Sequence, residues 1–361
     1  MLVVKSGSVG CRVYPDGKLR SISSILADVK VSVNAGARTA EVERGRPLLF
    51  GLMSAGVFIP SACGGRGSCG QCRVRLTGGA RTHNDAERLL IAETDQAAGF
   101  HLSCQVTVDS DLSIEIPQRY FAVRQYETRV AGTRDLTWEI REVVLEVTGG
   151  GDFSFASGQY VQLFLPGTES SAEPRYRAYS MASPPSAQPL LSFFVKREPG
   201  GVVSPYICDR LRVGDTLAIR GPFGDFRMHA SQRQILFIAG GTGLAPIRSM
   251  LLEMAETSST RAATLYLSAP ARRDLFALEE MRSFQRTLPG FRFIPALSNP
   301  LPNEHWEGET GGITAVLNRS LGRLESHEAY LCGSAGMIDA SIRVLKSKGL
   351  PAELVFFDKF L

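Results

Sequence analysis

Three of the seven cysteines, Cys63, Cys69 and Cys72, crowd into one short stretch that also holds Gly64, Gly65, Gly67 and Gly70. With Cys104 they read C-x5-C-x2-C, then 31 residues, then a fourth cysteine. Four thiolates are the ligand set of a [2Fe–2S] cluster, and a loop that wraps one must turn tightly and aim backbone N–H groups at sulfur, which glycine permits. Structural zinc usually shows two separated C-x2-C knuckles, and plain buried thiols are the other alternative; three cysteines in a glycine-rich loop favour the iron–sulfur reading. Cys11 and Cys208 fit no motif and are assigned to structure.

The stretch Ser61 to Val74 resembles the cluster loop of a ferredoxin domain, with an x5 gap where the plant type has x4. It is similar to the ferredoxin domain in the NADH-oxidising subunits of sodium-translocating NADH:quinone oxidoreductases. Further along, Arg177-Ala178-Tyr179-Ser180 resembles the Arg-x-Tyr-Ser signature of the ferredoxin–NAD(P) reductase superfamily. The chemistry agrees: Arg pairs with flavin phosphate, an aromatic ring covers isoalloxazine, and a hydroxyl can bond the N5 edge. Gly158-Gln159-Tyr160-Val161 precedes this signature, Gly201-Val202-Val203-Ser204 follows it as a second phosphate-binding turn, and Gly221-Pro222-Phe223-Gly224 sits where the family closes its barrel.

Ile235 to Pro246 reads as a buried strand, the turn Gly240-Gly241-Thr242-Gly243, then Pro246 at a helix start, where backbone N–H groups can hold a pyrophosphate. Cys332-Gly333 through Met337 resembles the family's Cys-Gly-x-x-x-Met segment, which implies that Cys332 lies near the nicotinamide. Phe360 matches the terminal aromatic that shields the flavin in the sodium-translocating enzymes, whereas Phe356 and Phe357 are assigned to the core. The resemblance implies FAD rather than FMN and NADH rather than NADPH, although Arg272 and Arg273, after Pro270-Ala271, could meet a 2′-phosphate. It gives Ser180, Cys332 and Phe360 catalytic placements.

These residues need elements to hold them. Residues 1–28 read as a hairpin-like extension around Pro15-Asp16-Gly17. Alternation at Val29, Val31 and Val33, the turn Asn34-Ala35-Gly36 and the strand 39–42 open a ferredoxin domain over 29–118, with helices at 48–55 and 86–98 and strands at 72–76 and 104–108. Strands at 129–130, 143–147, 160–165 and 191–196 suggest an antiparallel flavin barrel over 122–229. Short apolar strands alternate with helices over 230–361, predicting a doubly wound parallel sheet for the nicotinamide. The fold class is thus multidomain: a β-grasp [2Fe–2S] domain, an antiparallel β-barrel and an α/β domain.

With 361 residues, 44% hydrophobic and 21% charged, the chain suits several packed domains and neither a disordered nor a fibrous class. Forty basic and 36 acidic residues are interspersed, giving +4 and no nucleic-acid patch. No run of 18 apolar residues and no secretory leader is visible, so the expected location is the cytoplasm. The expected partner is an electron-acceptor protein such as an oxygenase. The sodium-translocating relatives carry a membrane-spanning N-terminal helix where this chain has polar residues, which puts a place in the sodium pump in doubt.

Overall fold

The computed structural model describes residues 11–13, 19–21, 28–79, 81–168, 174–302 and 305–360. The chain divides into two compact units, Met1–Val123 and Arg124–Leu361. Near the N-terminus, β1 (Cys11–Val13) and β2 (Leu19–Ser21) pair antiparallel; the Pro15-Asp16-Gly17 turn and the side chain of Cys11 lie outside the described residues.

The rest of the first unit is a five-stranded sheet with short helices. β3 (Val29–Val33) and β4 (Arg38–Val42) form a hairpin over Asn34, Ala35 and Gly36, all at positive φ. α1 (Leu48–Ser54) lies so close to β4 that a Cβ on Gly51 would sit 2.3 Å from Val42. β5 (Arg73–Gly78), α2 (Asp85–Leu90), α3 (Glu93–Ala97), β6 (Phe100–Leu102) and β7 (Leu112–Glu115) complete it. The order is β4-β3-β7-β5-β6, with β3 and β7 parallel at the centre, a β-grasp arrangement. Val31, Leu48, Leu52, Val74, Leu102 and Ile114 pack its core.

Two expectations in this unit are corrected. The single helix over 86–98 is two, because Ile91 is extended and buried, while Arg73 Nη2 and Gln96 Nε2 take the Leu90 and Ile91 carbonyls at 2.7 Å each. The strand over 104–108 is a turn with one bridge, Thr107 to Pro47; Gln105 N–H closes back on Leu102 O at 2.7 Å, so the chain bends where Cys104 must face the cysteine loop.

The second unit begins with β8 (Arg124–Asp135), β9 (Ile140–Gly149), β10 (Tyr160–Phe164), β11 (Tyr176–Ser180), β12 (Leu190–Lys196), α4 (Val203–Asp209) and β13 (Thr216–Phe223). The strands run antiparallel in the order β11-β10-β13-β8-β9-β12. The barrel nearly closes where Met181, just past β11, bridges Phe193 on β12. Closure therefore falls at 181 and 193 and not at Gly221–Gly224, because β13 has neighbours on both sides and leaves β11 and β12 as the free edges.

β14 (Gln234–Gly240), α5 (Leu244–Glu256), β15 (Ala263–Ala269), α6 (Leu278–Thr287), β16 (Phe291–Leu297), β17 (Glu309–Thr310), α7 (Ile313–Ser320), β18 (His327–Ser334), α8 (Ala335–Ser347) and β19 (Val355–Phe360) follow. All six strands are parallel in the order β17-β16-β15-β14-β18-β19. The direction of winding reverses between β14 and β18, and sheets of this kind bind ligands at the strand C-termini beside that reversal. One apolar layer lies under α5 and α6 and another under α7 and α8. The first also takes in Ile140, Ala182, Phe194 and Phe226 from the barrel, so barrel and sheet share buried apolar surface, the main favourable term in packing.

Candidate functional site

The cysteine loop places its four thiols as two pairs, Cys63 with Cys69 and Cys72 with Cys104. Gly64, Gly65, Gly67 and Gly70 all take positive φ, and the coil they allow turns amides inward. Backbone N–H groups of Ser68 and Cys69 bond Cys63, that of Gln71 bonds Cys69, and that of Gly67 bonds Cys104. Cys63, Cys72 and Cys104 are buried and Cys69 is half-buried at the rim. Within each pair the thiols share a proton. The hydrogen bond from Cys69 brings Cys63 down to about 3 and pushes Cys69 up; likewise Cys104 is lowered by its bond with Cys72, and Cys72 is raised. In each pair the lowered thiol is the one favoured as thiolate, the form that binds iron. Among the described residues no three His, Cys, Asp or Glu side chains are set to hold a single ion. Two pairs of thiols with amides aimed at sulfur fit two irons, each taking two cysteines.

On the barrel, β11 carries Arg177, Ala178, Tyr179 and Ser180, paired with Leu163, Gln162, Val161 and Tyr160 of β10. Ser180 is buried, the other three are half-buried, and burial raises the Tyr179 hydroxyl. Arg177 Nη1 donates to Tyr176 O at 2.6 Å, which turns the guanidinium back along its own strand. Gly201 and Val202 lead into α4, which begins at Val203; the first amides of a helix have no partner within it and can meet phosphate. Ser204 Oγ accepts the Glu198 N–H at 3.1 Å and so fixes the turn.

The turn Gly240–Gly243 is shaped by what it excludes. A Cβ on Gly243 would lie 2.2 Å from Cys332 O, one on Gly240 2.7 Å from Met337 Sδ, and one on Gly333 2.8 Å from Met337 Cε. At Gly243, against the Cys332 backbone, only glycine fits, while Gly240 and Gly333 lie against the Met337 side chain of α8, and Gly241 supplies the positive φ that turns the chain into α5. Thr242 sits in that turn and Pro246 lies buried in the first turn of α5. These residues fit a dinucleotide pyrophosphate approaching bare backbone. Cys332 is fully buried, and burial, reinforced by Asp358, raises its thiol well above the ordinary value, so it stands there as S–H.

The two sites are tied together. Just past Ser180, the Ala182 carbonyl accepts from Arg248 Nη1 at 2.7 Å and the Ser183 carbonyl from Ser249 Oγ at 2.6 Å, both on α5. Ser157 Oγ donates to Ser249 O at 3.2 Å, and Arg248 is braced by Glu280 at 2.7 Å. The helix that follows the Gly240–Gly243 turn is thereby bolted to the chain just past Arg177–Ser180.

Phe360 pairs with Ser334 at the end of β19 and packs, half-buried, on the layer under α5. Phe356 stacks on Tyr330 with centroids 5.0 Å apart, but Phe357 is 47% exposed, contrary to its assignment to the core, because the strand's alternation turns it outward. Cys208 is buried in the barrel core. Sequence reasoning missed Asp358, which lies opposite Cys332 in the β18–β19 register; desolvation raises its carboxyl to about 7. An acidic residue in Val355–Phe360 was the visible signal, but only the register puts it beside Cys332.

Three family models match the chain in order: a 2Fe-2S iron-sulfur cluster binding domain over 31–109, an oxidoreductase FAD-binding domain over 127–228 and an oxidoreductase NAD-binding domain over 237–342. One component of the Na(+)-translocating NADH-quinone reductase of Neisseria meningitidis is 32% identical, with 92% of each chain aligned. Its counterpart in Klebsiella pneumoniae is 33% identical over the same shares. Among solved structures, the Amycolatopsis cytochrome P450 reductase GcoB superposes with a TM-score of 0.73 at 27% identity, covering 92% of this chain and 98% of that one. The ferredoxin reductase in carbazole 1,9a-dioxygenase gives 0.70 at 26% identity over the same shares. With matches to [2Fe–2S], FAD and NAD domains following one another and relatives aligned nearly end to end, the chain belongs to the ferredoxin–NAD(P) reductase superfamily, as an iron–sulfur flavoprotein oxidoreductase related to that component of the sodium-translocating reductase.

Proposed function

We propose that the protein is a cytoplasmic NADH-dependent reductase serving a partner redox protein such as an oxygenase. When bound, FAD and the [2Fe–2S] cluster supply the conversion of a two-electron donor into single electrons. In this reading residues 29–118, 122–229 and 230–361 are the three cofactor domains. Cys63, Cys69, Cys72 and Cys104 hold the cluster. Arg177 and the 201–204 turn hold flavin phosphate, Tyr179 and Phe360 flank the ring, and Ser180 offers its hydroxyl to the ring edge. Gly240–Gly243 and Pro246 receive the pyrophosphate, and Cys332 with Gly333 lines the nicotinamide place.

The single observation carrying this reading is the bolt between α5 and the end of β11, which fixes the flavin signature against the nicotinamide turn; hydride transfer needs that fixed approach. NADH over NADPH is supported by the state of Arg272 and by a relative. Arg272 lies over the Trp306 ring at 6.0 Å, and the relative aligned nearly end to end is named an NADH-quinone reductase component, whereas Arg273 is largely exposed and is the residue to vary in a test of NADPH use. An oxygenase-type acceptor is supported by end-to-end likeness to the two reductases above, one named for a cytochrome P450 and the other for a dioxygenase.

Identity with the sodium-translocating reductase component favours a second reading, a peripheral NADH-oxidising member of a membrane quinone reductase complex. No helix among the described residues is long and apolar enough to cross a membrane. Fractionation of native lysate, followed by affinity capture, separates the two. The first predicts recovery in the supernatant with an oxygenase or other redox protein; recovery with membranes and quinone-reducing proteins would overturn it.

A further inference from the structure

One side-chain network in the first unit ends on a cysteine sulfur. Gln105 Nε2 donates to Cys104 Sγ at 3.4 Å, and Gln105 Oε1 accepts from Asn84 Nδ2 at 3.1 Å. Asn84 is the N-cap of α2: its Oδ1 accepts the Glu87 N–H at 2.9 Å, and its own N–H donates to Glu87 Oε2 at 3.0 Å. Glu87, 2% exposed, is anchored at Oε1 by the Leu102 N–H at 2.9 Å and by His101 Nδ1 at 3.1 Å, on the strand that leads into Cys104. His101 is held in turn by His83, stacked with ring centroids 4.1 Å apart.

The orientation of both carboxamides follows from the cap. A helix N-cap needs an acceptor facing the helix amides, so Asn84 Oδ1 must point at Glu87 and leaves only Nδ2 for Gln105. A donor there can be met only by Gln105 Oε1, which turns Nε2 to the sulfur. Gly67 makes room for this arrangement: a Cβ on it would sit 2.6 Å from Gln105 Nε2, while its N–H bonds the same Cys104 sulfur.

We propose that the α2 N-cap sets the reduction potential of the cluster by fixing the Gln105 side-chain N–H on the Cys104 sulfur, with Asn84 as the positioning residue. The proposal rests on the reading of Cys63, Cys69, Cys72 and Cys104 as cluster ligands. Reduction adds negative charge to the cluster, and a donor on a ligand sulfur stabilises the more negative state, so this hydrogen bond raises the potential.

The test is a redox titration of the cluster in the purified holoprotein, followed by EPR and visible absorption. Gln105→Leu should lower the midpoint by about 59 mV, a tenfold change in a one-electron equilibrium, and shift the g values of the reduced cluster. Asn84→Ser keeps a competent cap, so melting temperature should hold, yet it releases the Gln105 carboxamide and should lower the midpoint by a smaller amount. In the double variant Asn84→Ser adds nothing to Gln105→Leu, since it acts through that side chain. A Gln105→Leu midpoint equal to wild type, or additive effects in the double variant, would overturn the proposal while leaving the ligand assignment standing. Wild-type protein without a [2Fe–2S] signature, or a Cys104→Ser variant that keeps the unaltered signature, would overturn the ligand assignment itself.

Discussion

Gly243 has no room for a side chain, since both atoms nearest an added Cβ belong to the Cys332 backbone and neither can swing aside. Gly243→Ala should cost about 1–3 kcal/mol as overpacking, lowering the melting temperature and raising the KM for NADH; an unchanged KM would remove this turn from the binding site. Asp358 gives a pH signature. Its carboxyl, raised to about 7 by desolvation, binds its proton more tightly folded than unfolded, where a carboxyl titrates near about 4. The folded state therefore loses stability as pH rises from about 4 to about 7, and the loss is complete above that. Asp358→Asn removes it, so the variant's melting temperature should gain on wild type between about pH 4 and about pH 7. A constant difference across that range would contradict the shift. What was legible at this scale was spacing: the four cysteines, the Arg177–Ser180 signature and the glycines at 240, 241 and 243 stand out as residue patterns. Asp358 and Gln105 were not legible, because each acts through a neighbour that only a strand register or a hydrogen-bond network supplies.

The elements were legible where one periodicity ruled them, as in β3, β14 and α5, and not where side chains interrupt the backbone ladder. Arg73 and Gln96 break what reads as one helix into α2 and α3, and that break lets α2 end and Ile91 enter the core. β19 was not legible because the sequence Val355–Phe360 carries no apolar–polar alternation to match the alternating faces of its backbone, and its place comes from pairing with β18. In the proposed function the junction between α5 and the barrel fixes the approach of the two rings. Arg248 is largely buried, bonds the Ala182 carbonyl and pairs with Glu280, so Arg248→Ala leaves a buried carbonyl without its donor. That should cost about 1–3 kcal/mol and slow hydride transfer in stopped-flow mixing with NADH, because reactions of this kind depend on a fixed approach of the two rings. Normal flavin content with an unaltered hydride-transfer rate would show that the junction supports the fold alone.

Across the whole molecule, the cysteine loop belongs to one compact unit and the residues proposed for flavin and nicotinamide to the other, so chemistry at the second should survive damage at the first. The order of domains was readable from motif order alone, whereas the barrel's closure at Met181 and Phe193 required the sheet order. In the function proposed above, electrons enter from NADH at the flavin and leave through the cluster to a partner. The most direct measurement compares Cys69→Ser with wild type in two assays, NADH oxidation by ferricyanide, which accepts at the flavin, and reduction of the captured partner protein. The account predicts a variant without cluster absorption that keeps ferricyanide activity within about twofold, as expected for effects confined to separate compact units, and loses partner reduction. Loss of both activities, or retention of partner reduction without the cluster, would contradict it.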